Sequence, residues 1–200
     1  MSDKIFSLSG IQWDYSKFEN FWIGGKLSAS NISTGFHGIL KQWWDCYSPS
    51  GINDVLLVTE NEFVKKELSE LYKNWHALTL DLYTEIRGTN PDIIANVCSH
   101  NLDISHQFDL IINQSVLEHT YDPFTAMKNL CEWLKPGGVI ISHTCAQHYE
   151  YHAFPRDYIR FMIDWWYDLP QHIDNIKLIE LYEDDELHHV FSCYQKINNS

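Results

Sequence analysis

Two hundred residues suffice for one domain with a full hydrophobic core and leave too little chain for two. Apolar residues make up 44% and aromatic residues 14%, which excludes a disordered or collagen-like chain. Lys and Arg number 14 against 27 for Asp and Glu, giving a net charge of -13. No basic run exceeds Lys65-Lys66, so nucleic acid is disfavoured as a partner for want of charge to neutralise its phosphates.

Residues 1–50 read as a separate aromatic segment. GIQWDYSKFENFWIGGKLSAS carries rings and glycines, and TGFHGILKQWWDCYSPSG reads as a helix closed by Ser-Pro-Ser-Gly. The segment is expected to cap the sheet edge as a lid or to pack on the sheet's flank. No basic stretch precedes an apolar run there, and nowhere do about 18 apolar residues stand together. The five cysteines are scattered and form no CxxC pair. A soluble cytoplasmic chain with reduced thiols and no membrane partner is the expectation.

Residues 51–200 form the main domain. INDVLLVT (52–59) predicts a buried strand, and ENEFVKKELSELY (60–72) a helix with Val64 and Leu68 one turn apart. The turn between them holds Thr59, Glu60 and Asn61, where an α/β domain of this size usually places glycines. HALTLDL (76–82), PDIIANV (91–97) and FDLIINQ (108–114) are the next three strands. SVLEHTYDPFTAMKNLCEWL follows as an amphipathic helix with Pro123 in its first turn. KPGG (135–138) closes it, and VIISHT (139–144) is a fifth strand. At the tail, IKLIELY (176–182) and LHHVFSCYQKI (187–197) are joined by a short acidic turn, so they pair antiparallel. The pattern predicts an α/β fold: a Rossmann-like, doubly wound, mostly parallel seven-stranded sheet ending in an antiparallel hairpin.

FDLIINQSVLEHTYDPFTAMKNLCEWLKPGGVIISHT (108–144) resembles the class I S-adenosylmethionine-dependent methyltransferases in its FD strand, LEH opening, LKPGG turn and following strand. YEYHAFPRDYIRF (149–161) is similar to a segment of a bacterial-type subgroup, some of whose members are associated with sugar and surface-polysaccharide chemistry. The resemblance implies S-adenosylmethionine as cofactor and a small-molecule substrate. It implies that Asp81 holds the ribose hydroxyls; Asn96 and Val97 either receive the adenine or simply form a turn. Asn113 and Gln114 lie against the methionine portion. Thr59, Glu60 and Asn61 stand where the family has an acid and glycines. Asn61 is suited to a left-handed turn, and Glu60 either meets the cofactor's ammonium or opens the helix. His119, from LEH, reads as a structural hydrogen-bonder near the cofactor.

An oxygen nucleophile wants a general base, and His143, His152 and Asp157 are the candidates. Tyr151, Arg156, Tyr158 and Arg160 are the substrate-side residues, the arginines either gripping an anionic group or pairing within the chain. Residues His143, Cys145, His148 and His152 are too irregularly spaced to predict a metal site. The function expected is O-methylation of a small polar metabolite such as a sugar or phosphorylated compound. The alternative is an inactive methyltransferase-like scaffold whose cofactor loop is lost.

Overall fold

The structure, a computed structural model, describes residues 4–7, 43, 46, 47, 49–60, 62–83, 90–100, 102–152, 156–184 and 188–198. Asn61, Trp44 and most of the N-terminal segment lie outside the described residues. In chain order the elements are β1 (Lys4–Ser7), β2 (Asp54–Val58), α1 (Glu62–Leu71), β3 (His76–Asp81), β4 (Ile93–Ile94) and β5 (Phe108–Gln114). A 3-10 turn (Leu117–His119), α2 (Pro123–Trp133), β6 (Leu134–Cys145), α3 (Ile163–His172), β7 (Ile176–Asp184) and β8 (His189–Lys196) complete it.

The strands form one sheet in the order β1, β7, β8, β6, β5, β2, β3, β4. Pairs from β6 through β4 are parallel, while β8 pairs antiparallel with both β6 and β7. These are the seven strands the pattern predicts. β1 adds an eighth, antiparallel to β7, from a four-residue stretch too short to give a periodic signal. β4 is shorter than PDIIANV suggests: the Ala95 N–H makes the last bond to β3, donating to the Asp81 carbonyl at 2.9 Å, and the Asn96 side-chain Oδ1 then turns the chain by accepting from the Cys98 N–H at 2.9 Å.

Alternation along each strand sorts the core into two layers. Leu56, Val58, Ile111 and Ile140 meet Ala126, Met127 and Leu130 of α2 and Trp166 and Leu169 of α3. Val55, Leu57, Leu110, Ile112 and Ile141 meet Val64 and Leu68 of α1 on the opposite face. Trp43 joins that second layer, fully buried with its ring 6.3 Å from Phe191. Trp43 and the partly buried Tyr47 of the N-terminal segment therefore pack on the sheet's flank.

Helix α2 starts where the sequence says it should. The Asp122 carboxylate caps it by accepting from the Thr125 N–H at 3.0 Å, and Pro123 fills the first turn, where no amide partner is needed. LKPGG does not leave the sheet. Leu134 pairs with Phe108 and Val139 with Leu110, so residues 135–138 bulge out between two ladder positions. Gly137 takes φ +83°, and a Cβ on Gly138 would stand 2.9 Å from the Lys135 carbonyl oxygen, so both positions require glycine.

Candidate active site

From β2 the chain proceeds to β3 and β4 on one side, then returns to place β5 on β2's other side. That reversal opens a crevice beyond the carboxyl ends of β2 and β5, the place where open α/β sheets bind ligands. A cavity of about 360 Å³ occupies it. Its walls are the ends of β2 and β3, the turn after β4, the start of the segment after β5, and two residues from the later 156–158 stretch.

Both crevice strands end in a left-handed residue that is not glycine: Thr59 at φ +58° and Ser115 at φ +51°. Thr59 donates its N–H to the Leu80 carbonyl at 2.7 Å, and Ser115 donates to the His143 carbonyl at 2.9 Å. Each tie to a neighbouring strand holds the turned conformation that a β-branched or Cβ-bearing residue does not adopt freely. Thr59 thus makes a left-handed turn two residues before Asn61, which lies outside the described residues.

Of the residues expected at the cofactor, Thr59, Asp81, Asn96 and Val97 line the cavity. One Asp81 oxygen accepts from the Tyr83 N–H at 3.1 Å, and the other has no partner among the described residues. The Val97 N–H is also uncommitted, whereas its carbonyl is held by Asn129 at 2.8 Å. The Asn96 side-chain oxygen accepts from the Cys98 N–H, which leaves Val97's amide as the uncommitted group able to meet a ring. Asn113 and Gln114 are buried and lie outside the lining; Asn113 donates to Ser142 at 3.2 Å, and Ser115 and Val116 face the cavity in their place. Glu60 is described but lines no part of it.

The three base candidates stand outside the lining. His143 is fully buried, with Nε2 at 2.9 Å from His189 Nδ1 and Nδ1 at 3.3 Å from the Ser115 hydroxyl. Burial pushes the His189 imidazole down to about 4, so His189 is neutral at physiological pH. Asp157 is almost wholly buried, and its hydrogen bonds to Arg160 hold the carboxyl down to about 2. His152 sits beside it, its main-chain N–H donating to Asp157 at 2.8 Å.

The two arginines part company. Arg160 donates to both Asp157 oxygens and to the carbonyls of Tyr149, Glu150 and Ile159, which commits all five of its N–H groups inside the chain. Arg156 is exposed at the cavity wall, and its guanidinium has no partner among the described residues. Tyr158 also lines the cavity, its ring edge-on to Tyr121 at 5.8 Å, while Tyr151 is exposed outside it.

His119 also lines the cavity, the only histidine among the described residues to do so. Its Nδ1 lies 2.6 Å from the Arg156 carbonyl oxygen, an atom that only accepts, so Nδ1 carries a hydrogen and Nε2 is the nitrogen left to accept in the neutral ring. Its place in LEH, one residue after a buried glutamate, was the available signal.

Parallel strands reversing at β2 and β5, an antiparallel closing hairpin, and a carboxylate-bearing crevice at the reversal define the fold of a class I methyltransferase. A family model described as a methyltransferase domain matches residues 35–194. The chain belongs to this family. It is 33% identical over 90 residues to a ubiquinone biosynthesis O-methyltransferase of Parvibaculum lavamentivorans, a match spanning 45% of this chain and 33% of that protein. In structure it is similar to a Haloferax volcanii complex of the Trm112 methyltransferase activator with a proposed methyltransferase (TM-score 0.65, 12% identity, 85% of this chain and 94% of that one). It is similar also to a Burkholderia thailandensis 1,6-didemethyltoxoflavin N1-methyltransferase with its substrate and S-adenosylhomocysteine (TM-score 0.55, 13% identity, 98% and 96%).

Proposed function

We propose that this chain methylates an oxygen atom of a small polar molecule carrying an anionic group, such as a phosphorylated sugar. The observation that carries the reading is the crevice cavity, where the unpaired Asp81 oxygen and the free Val97 amide stand on one side and Arg156, His119 and Tyr158 on the other. The residues fit the cofactor: Asp81 accepts from the ribose hydroxyls, the Val97 N–H donates to the adenine ring, and the turns at Thr59 and Ser115 lie against the methionine portion. Bound there, S-adenosylmethionine supplies a sulfonium methyl group open to in-line displacement.

The chain's own residues do the rest. Arg156 pairs with the anionic group of the acceptor and orients it. His119 Nε2 takes the proton of the acceptor hydroxyl, while the bond from Nδ1–H to the Arg156 carbonyl fixes the ring. His119 replaces His143, His152 and Asp157 in this role because it alone of the four meets the cavity. The O-methylating relative from Parvibaculum lavamentivorans supports oxygen as the acceptor atom.

The test is release of S-adenosylhomocysteine with a panel of hydroxylated acceptors, phosphorylated and neutral. Turnover is expected with a phosphorylated acceptor, falling roughly 100- to 10,000-fold in His119→Gln. Arg156→Ala is expected to raise KM for that acceptor far more than for its neutral counterpart. Turnover confined to neutral acceptors removes the anionic-substrate reading, and an unchanged rate in His119→Gln removes the base.

A further inference from the structure

Behind the Leu117–His119 turn, three side chains of different chemistry converge. Glu118 Oε1 lies 3.4 Å from Cys145 Sγ and 3.9 Å from His152 Nε2, and the same Sγ and Nε2 are 3.9 Å apart. Glu118 is wholly buried, Cys145 is 2% exposed, and the His152 ring reaches solvent with 36% of its surface. We infer that Glu118, Cys145 and His152 form a binding site for a divalent transition ion of the zinc type, with a fourth coordination position open on the His152 side.

Geometry supports it first. Zinc bonds of about 2.3 Å to sulfur and about 2.0 Å to nitrogen and oxygen imply tetrahedral edges of roughly 3.3–3.6 Å. The Cys145–Glu118 edge already has that length, and the two edges to His152 need contract by only roughly 0.3–0.6 Å. The donor set supports it second: a thiolate, an imidazole and a carboxylate select zinc-like ions over magnesium or calcium, which prefer oxygen alone.

The outer groups are also arranged as a metal site requires. Thr144 Oγ1 donates to the second Glu118 oxygen at 2.5 Å. His152 Nδ1, buried and without a hydrogen bond, is 3.3 Å from Asp157 Oδ2, the carboxylate within reach to orient the ring once Nε2 takes an ion. Arg160 fixes Asp157 in turn. Charge completes the case. A wholly buried carboxylate needs a counter-charge, and among the described residues no Lys or Arg makes an ion pair or hydrogen bond with Glu118; Arg160 feels its charge but spends every donor elsewhere.

Of the four residues whose spacing argues against a metal, only Cys145 and His152 belong to the cluster. His143 faces His189, and His148 stands with His188 at 5.7 Å between ring centroids. The third ligand, Glu118, comes from 27 residues earlier and was invisible to any local motif. A bound ion ties the end of β6 to the segment carrying Arg156 and Tyr158, next to His119, whose ring centroid is 4.8 Å from that of His152. The inference stands apart from the methyl-transfer reading.

Equilibrium dialysis of the full chain against Zn²⁺, and titration with Co²⁺ followed by absorbance, test it. The expected result is one ion per chain with a Kd below ~1 μM and a thiolate-to-cobalt charge-transfer band. His152→Ala, at a half-open position, and Cys145→Ser are each expected to weaken binding about 100-fold, and Cys145→Ser to abolish the band. A His148→Ala/His188→Ala double variant should bind as the parent does. Failure to take up either ion, uptake undiminished in both ligand variants, or loss of uptake in the double variant overturns the inference.

Discussion

Thr59 carries a branched Cβ at φ +58°, in the turn where the family resemblance calls for glycine. A conformation of that kind costs on the order of 1–3 kcal/mol and persists only where its surroundings enforce it. Here the enforcing contact is the 2.7 Å bond to Leu80, next to Asp81. The turn survives the loss of glycine because the sheet holds it, which removes the physical reason for reading the chain as a relic. Thr59→Gly is expected to stabilise the fold by roughly 1 kcal/mol, after the entropic cost of glycine is set against the relieved strain, and to keep affinity for S-adenosylhomocysteine. Denaturant unfolding and calorimetry read the two effects; destabilisation of the variant would contradict the strain argument. At this scale the sequence was only partly legible. Arg156 and Arg160 share one short motif, and nothing in it says that the second spends every donor on Asp157 and nearby carbonyls. The i, i+3 spacing from Asp157 to Arg160 was the one hint. His119 and His143 were likewise separable only in the fold, which sets one on the 3-10 turn at the cavity and buries the other in β6.

Elements were more legible, because continuous Val, Leu and Ile runs are what a sheet buried on both faces demands. FDLIINQ spans β5 to the residue. Where the reading missed, short-range hydrogen bonding had overridden the apolar pattern, as at Asn96, or the strand was as short as β1. The FD and LKPGG motifs also acquire a mechanical reason. Asp109, near the start of β5, accepts from the N–H groups of Asn53 and Asp54 at 3.0 and 2.9 Å. Lys135, in the bulge, pairs with Asp109 at 3.1 Å and with Asp54 at 2.6 Å. Three strands are thus stapled at the end opposite the cavity. Partial burial by itself would raise the Asp109 carboxyl, but the hydrogen bonds from Asp54, Asn53 and Lys135 outweigh it and hold it below the usual value. A carboxyl depressed by folding adds stability above its ordinary titration range and loses it as pH falls through and below that range. Asp109→Asn is therefore expected to cost roughly 1–2 kcal/mol at neutral pH, with the gap to the parent closing in acid, and to leave cofactor affinity unchanged. A gap independent of pH would contradict the charge argument.

The whole molecule is a single sheet between two apolar layers, with its direction of growth reversing at β2. The layers and the reversal follow from alternating apolar runs and from the order in which strands and helices occur, so both could be anticipated from the chain. The cavity wall could not. It joins the ends of three strands to residues 119–122 and 156–158, and only the fold makes these neighbours. The central claim is that this wall binds S-adenosylmethionine through Asp81. Calorimetric titration of the chain with S-adenosylhomocysteine, repeated on Asp81→Ala, measures it. The account predicts one site per chain in the parent and a loss of about 1–3 kcal/mol in the variant. No heat at millimolar ligand in the parent, or equal affinity in both, would contradict it.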